Sequence, residues 1–316
     1  MSIEAIKEQL RAIPEVAAWP EITVMLDKPL KQQDFYCWDY PGIAARAVGG
    51  THEQALPAAT AIYCSLVSIH LVDDILDEDP RGLYRTWGSG KAANLALALQ
   101  AVASRVLADR APAGTQALLQ RSLAEMSIAT AWGQQLDAED RPGEAAYWET
   151  IRLKTPPLFG CALELGALLA GASPEKARAV AALGEPIGEM IQVNDDLHDA
   201  LEVPACPDWR RQGGNLAILY ARMAPHSARD RFEQLRQDVE AEAALREAQD
   251  LLIQSGAVSY CAYSLFEAHK KAKQRIEAAA VERPEVLHQL VDTHIAPLLG
   301  LLRSLGVKAP ESLLRS

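Results

Sequence analysis

Two aspartate clusters stand out by residue type and spacing: Asp73-Asp74-Ile75-Leu76-Asp77 and Asp195-Asp196-Leu197-His198-Asp199, each a DDxxD string. On a helix the first and last aspartates of each string lie one turn apart on one face, where the pair can chelate a hard cation. Carboxylates crowded against an apolar wall repel one another, at a cost of roughly several kcal/mol, unless cations neutralise them. Mg2+ suits such a site, because it takes a few carboxylates and completes its shell with waters and phosphate oxygens. A single DDxxD is common as a solvated acidic helix end. Two copies, each after a largely uncharged stretch (Gln54 to Val72, and Pro186 to Asn194 interrupted only by Glu189), favour a paired metal site for an anionic ligand.

The elements that must carry these strings are helices. Ala, Leu, Glu and Gln recur from end to end, β-branched alternation is nearly absent, and Pro and Gly fall between helical segments. The expectation is an all-α fold, one domain over residues 1–316, with 49% hydrophobic residues to build its core. An amphipathic helix is expected near Ile3 to Ala12, then a Trp/Tyr/Pro-rich connection from Trp19 to Tyr40. Further helices are expected near 42–48, 54–79, 91–109, 114–138, 144–171, 174–201, 214–223, 227–255, 257–280 and 284–304. Ser173-Pro174-Glu175-Lys176 has the form of a helix start, with a serine cap and proline in the first helical position.

Composition excludes several classes. A net charge of -11 without a basic stripe argues against a nucleic-acid partner. Cys37, Cys64, Cys161, Cys206 and Cys261 are scattered and lack zinc or redox spacing, so they read as free thiols. No apolar segment follows a basic start, which points to a cytoplasmic protein. The uncharged run from Gln54 to Val72 contains Pro57, Thr60, Ser65, Ser68 and His70 and enters the first acidic string, so a buried core helix explains it better than a transmembrane span.

Further motifs fall in a fixed order. Gly49-Gly50 and Leu56-Pro57-Ala58-Ala59 precede the first DDxxD; Gly133-Gln134-Gln135-Leu136-Asp137 follows; then come Tyr147, Lys154-Thr155, Leu158-Phe159 and Leu165-Gly166; and Gly184 to Asp199 reads GEPIGEMIQVNDDLHD. This series resembles the trans-polyprenyl diphosphate synthase family of the isoprenoid synthase superfamily, over about Gly49 to Ala279. The resemblance implies a helical bundle with a central cavity, usually a homodimer. It also implies three Mg2+ ions that bridge an allylic prenyl diphosphate between the acidic motifs, whose departure leaves an allylic cation. By carry-over, Asp73 and Asp77 would hold two metals and Asp195 the third with support from Asp199. Asp74 and Asp196 would orient ligands or waters. Lys154 would bind the departing diphosphate, and the Thr155 carbonyl and Gln192 would face the cation as dipoles.

The chain departs from that family at the acceptor side. A basic segment that normally grips isopentenyl diphosphate is matched here by Gln33-Asp34-Phe35-Tyr36-Cys37-Trp38, which has no cation. The arginine pair after the first motif is reduced to Arg81, with Arg85 and Lys91 further on, and the lysine after the second motif is replaced by Gly213. Arg210 or Arg211 can substitute for it, beside a retained Asp208. Three readings are open: a prenyl diphosphate synthase whose acceptor is held by Lys28, Lys31, Arg46 or Arg81; a prenyltransferase with another acceptor, lined by the aromatic cluster; and a class I terpene synthase, where aromatic faces stabilise a cyclising cation. A catalytically silent regulatory subunit is a fourth, although such a subunit has no reason to keep six motif aspartates. In the family, side chains one and two turns before the first motif floor the product tunnel. Here these are Ile69, Ser68, Ser65 and Cys64, with Tyr63 deeper, small enough for a farnesyl to geranylgeranyl tail or longer. His70 and His198 are assigned no role.

Overall fold

The computed structural model describes residues 2–27, 37–112, 114–304 and 306–315, and among these the regular elements are helices, with no strand. The all-α expectation therefore holds. The chain gathers into two compact units: Met1–Ala131, Pro157–Gly184 and Arg275–His288 form the first, and Trp132–Pro156, Glu185–Gln274 and Gln289–Ser316 the second.

The first unit is built around the helix Leu56–Leu76. Its apolar residues run all round it, the signature of a core helix rather than a surface one. Ala58 to Ser65 are buried without interruption, and small side chains let Ser89–Arg110 pack along its length. Ile3–Arg11, Tyr40–Ala47 and the 3-10 turn Cys37–Asp39 cover other parts of it. The span Glu53–Leu76 is long and apolar enough to cross a membrane by length and composition, but most of it is buried inside the fold. Gly166 on the helix Pro156–Leu169 allows a close approach: a Cβ there would lie 2.1 Å from the Pro41 carbonyl oxygen.

In the second unit, Leu216–Met223 packs against Glu144–Lys154, Arg229–Arg236 and Glu242–Gln254. Trp209, Tyr147 and Phe232 are its largest fully buried side chains. Asn215 caps Leu216–Met223, accepting from the amides of Ala217 and Ile218 at 3.1 and 3.2 Å.

Three expected long helices are each two. The span 144–171 divides into Glu144–Lys154 and Pro156–Leu169, because Pro156-Pro157 supplies no amide donors and Thr155 before them leaves regular helix geometry. The span 174–201 divides into Pro174–Ala181 and Gly184–Leu201, and 227–255 into Arg229–Arg236 and Glu242–Gln254. The connection after Trp19, expected to be irregular, contains the helix Pro20–Asp27. The expected cap at Ser173 is present, its side chain accepting from the Lys176 amide at 3.2 Å.

Candidate active site

Asp73 and Asp74 lie in the last turn of Leu56–Leu76, and Asp77 is the residue that ends it, its amide donating to the Asp73 carbonyl at 2.9 Å. The chain then reverses through Glu78, whose φ is +52°. This geometry keeps carboxylate oxygens of Asp73 and Asp77 within 4.8 Å of one another. Asp73 and Asp74 are half-buried and Asp77 is exposed. Arg81, an expected substrate residue, chelates Asp79 through Nε at 3.0 Å and a terminal nitrogen at 2.8 Å while staying 75% exposed. Arg85 lies over the Tyr84 ring at 5.0 Å and donates to the Glu78 carbonyl at 3.1 Å.

Ser68 points its hydroxyl at the neighbouring helix, donating to the Ala96 carbonyl at 2.9 Å in a buried contact. Ile69 is half-buried. Tyr63 is buried and meets Trp38 edge-on at 5.9 Å. Lys28, Lys31 and Gln33 to Tyr36, named as acceptor candidates or the acceptor segment, lie outside the described residues.

All of the second acidic string lies inside Gly184–Leu201. Its three aspartates differ in environment. Asp195 reaches solvent, yet desolvation by its surroundings and the Asp199 carboxylate raise its pKa to about 7. Asp199 is half-buried and likewise raised, first by desolvation. Asp196 is 1% exposed, and its oxygens are engaged by the protein: Gln192 donates to one at 3.0 Å, and the Tyr147 hydroxyl and Leu216 amide donate to the other at 2.6 and 2.7 Å. Burial still raises Asp196 to about 7. Ligand atoms of Asp199, Cys206 and Asp208 lie within 4.8 Å of one another, and burial raises Asp208 to about 6 against the pull of Arg211. Aspartates with raised proton affinity, one turn apart and carrying only oxygen donors, fit a hard divalent cation.

Lys154 ends Glu144–Lys154 and donates to Asp137 at 2.6 Å. Gly133 permits this placement, since a Cβ there would lie 2.3 Å from the Lys154 amide nitrogen. Thr155 donates its hydroxyl to the Gln192 side-chain oxygen at 3.5 Å, and the Gln192 amide is turned to Asp196, so the orientation of Gln192 is set from both ends. Arg211 donates to Asp137 at 2.7 Å, whereas Arg210 turns to Glu240 on the surface. Burial pushes Asp137 up, but Lys154 and Arg211 outweigh it and hold the carboxyl below its usual value. The structure thus brings Lys154 and Arg211 together on Asp137 and Thr155 together with Gln192, and leaves Arg210 out of both groups. Sequence reasoning assigned no role to Asp137, Tyr147, Asp140 or Arg236; the first two stand within quoted motifs, while the others carry no local signal.

The model of the family described as polyprenyl synthetase matches residues 43–252. The chain belongs to the polyprenyl synthetase family. It is accordingly a prenyltransferase-type enzyme. A geranylfarnesyl diphosphate synthase of Aeropyrum pernix is 26% identical over 274 residues, covering 79% of this chain and 86% of the relative. Among solved structures, a polyprenyl synthetase from Streptomyces coelicolor A3(2) superposes with a TM-score of 0.78 at 22% identity, over 92% of this chain and 96% of that one. A decaprenyl diphosphate synthase from Rhodobacter capsulatus gives 0.79 at 20% identity, over 93% and 95%. These two structures show the shared fold.

Proposed function

We propose that this polyprenyl synthetase ionises an allylic prenyl diphosphate of farnesyl to geranylgeranyl length and couples the cation to isopentenyl diphosphate. The observation that carries this reading is the arrangement at Gln192: the Thr155 hydroxyl donates to its side-chain oxygen and its amide donates to Asp196 of the second acidic string, while Lys154, next to Thr155 in the chain, stands on Asp137, with no strong nucleophile among the residues assigned to face the cation. Asp73 with Asp77, and Asp195 with Asp199, would hold Mg2+, which when bound supplies Lewis acidity to the leaving diphosphate oxygens. Lys154 gives the departing diphosphate a fixed positive charge. The Thr155 carbonyl and the Gln192 side-chain oxygen face the allylic cation as dipoles too weakly nucleophilic to trap it. Asp196, enclosed by three donors, orients Gln192 from behind, and Asp74 orients ligands or waters at the first motif. Arg81 and Arg85 are the cations nearest in sequence to the first motif and serve the acceptor diphosphate.

Exposed apolar residues support a homodimer. Leu97 and Ile128 are each 71% exposed, with Ala93, Ala101, Ala124 and Ala131 exposed one turn away on the same two helices.

The test is incubation of the purified protein with Mg2+ and geranyl, farnesyl or geranylgeranyl diphosphate, with and without isopentenyl diphosphate, read by mass spectrometry. An elongated diphosphate that requires isopentenyl diphosphate supports the reading. A hydrocarbon or alcohol from the allylic substrate alone would replace it with a terpene synthase. In the same assay Asp73→Ala and Asp195→Ala each lower turnover by about a hundredfold or more while the helical spectrum is retained; near-normal activity in either removes that residue from the metal site.

A further inference from the structure

Asp137 sits between two cations. It accepts from Lys154 at 2.6 Å and from Arg211 at 2.7 Å, with its side chain only 9% exposed. Paired with Lys154 alone, Asp137 would cancel the ammonium charge. With Arg211 added, Lys154, Asp137 and Arg211 together keep one net positive charge, although the carboxylates of Asp140 and Asp208 also act on Arg211.

The segment that carries Arg211 is fixed from two sides. On one side Asp140 accepts from the Gln212 amide at 2.8 and 2.9 Å and from the Gly213 amide at 3.1 Å, and stands 3.6 Å from Arg211 Nε. Its backbone has φ +48°, in the left-handed region that aspartate adopts more readily than most non-glycine residues. On the other side Arg236, with its side chain 5% exposed, donates to the Trp209 carbonyl at 3.0 Å and the Arg211 carbonyl at 2.9 Å. Glu233 lies 3.0 Å from Arg236 and balances its charge. Gly213, where the family pattern has a lysine, has no room for one: a Cβ would lie 2.1 Å from the Arg141 carbonyl oxygen. The second cation of this site comes instead from Arg211.

We propose that Arg236 and Asp140 are positioning residues that hold Arg211 on Asp137, and that Arg211 thereby preserves the positive charge of Lys154 for the departing diphosphate. The inference rests on the reading of Lys154 given above. Without Arg236, the carbonyls of Trp209 and Arg211 lose a buried donor, the segment loosens, and Asp137 draws its balance from Lys154 alone.

The experiment titrates the full chain with inorganic diphosphate and Mg2+ by calorimetry. It compares the wild type, Lys154→Met, Arg236→Met, Asp140→Ala, and each of the last two combined with Lys154→Met. Arg236→Met and Asp140→Ala are each expected to weaken diphosphate binding about tenfold in the wild-type background. Neither should weaken it further than about twofold once Lys154 is gone, because the coupling runs through that residue. A full tenfold loss in the Lys154→Met background overturns the proposal, as does no loss in the wild-type background while Lys154→Met itself binds weakly. Unchanged binding by Lys154→Met overturns the reading of Lys154 first, and this inference with it. If Arg236→Met fails to fold, Asp140→Ala alone decides, since Asp140 lies nearer the surface.

Discussion

The Tyr147 hydroxyl donates to the Asp196 carboxylate across 2.6 Å, joining the helix Glu144–Lys154 to the second acidic string. The contact separates Asp196 from its neighbours in that string. On the proposed reading Asp195 and Asp199 hold the metal, whereas Asp196 is committed to Tyr147, Gln192 and Leu216. It holds the Gln192 amide, and in the proposed reaction it would act through that side chain. Tyr147→Phe therefore costs about 1–2 kcal/mol of stability by removing one buried charge-assisted donor. Turnover should fall severalfold while the KM for the allylic substrate moves little, because Gln192 loses part of its support and substrate contacts remain. Denaturant unfolding with steady-state kinetics checks both; a large KM change with normal turnover would place Tyr147 against substrate instead.

The raised carboxyls contribute a pH dependence to the metal-free protein, and they outnumber His294, which burial lowers to about 4 and which contributes in the opposite direction. Asp196 at about 7 and Asp208 at about 6 bind protons more tightly folded than unfolded, mainly because burial disfavours their charged forms. Between the ordinary carboxylate value and those values the folded state holds the extra protons, so stability falls as pH rises through that window. Asp195 moves in the same direction, tempered by its exposure to solvent. The melting temperature without metal should be lower at about pH 8 than at about pH 5, and Asp196→Asn should flatten the difference. Mg2+ with inorganic diphosphate should stabilise more at the higher pH, where no proton competes for the carboxylates. Calorimetric scans with and without the ligands measure this, and equal stabilisation at both values would contradict it.

Much of this site was legible in the sequence, and the boundary of legibility has physical causes. The two DDxxD strings and the Lys154-Thr155 pair declare themselves because their spacing is helical and local. The break at Thr155 was also written there, in Pro156-Pro157, but the strong helical composition on either side hid it. The direction of Ser68 could not be read: a helix apolar on every side has no phase, so nothing local says which face meets the Ser89–Arg110 helix. The partners of Asp137 and Arg236 lie out of reach for a different reason. Arg211 is 74 residues from Asp137 and 25 from Arg236, and such pairings arise only from tertiary packing.

The exposed apolar stripe on Ser89–Arg110 and Gln116–Ala138 gives a prediction about assembly. Leu97→Glu with Ile128→Glu places two charges where a second copy would bury apolar surface, and an unpaired charge inside an interface costs several kcal/mol, which is about a hundredfold or more in dissociation constant. Both positions are solvent-exposed in the chain itself, so its fold should survive. Sedimentation should report a dimer for the wild type and a monomer for the double variant. A wild-type monomer at micromolar concentration would assign the stripe another role.

The buried hydroxyl of Ser68 changes what substitution there should do. At the helix contact, Ser68→Phe must find room for a ring beside Ala96 and give up the 2.9 Å hydrogen bond. Overpacking of this kind costs about 1–3 kcal/mol, so the main effect is a lower melting temperature. Ile69, one position on and half-buried, is the better candidate for the tunnel floor. Ile69→Phe should shorten the products by at least one isoprene unit, with little loss of stability. Mass spectrometry of the products beside thermal unfolding separates the two positions: if Ser68→Phe shortens the product at unchanged stability, the hydroxyl contact is dispensable and residue 68 faces the chain.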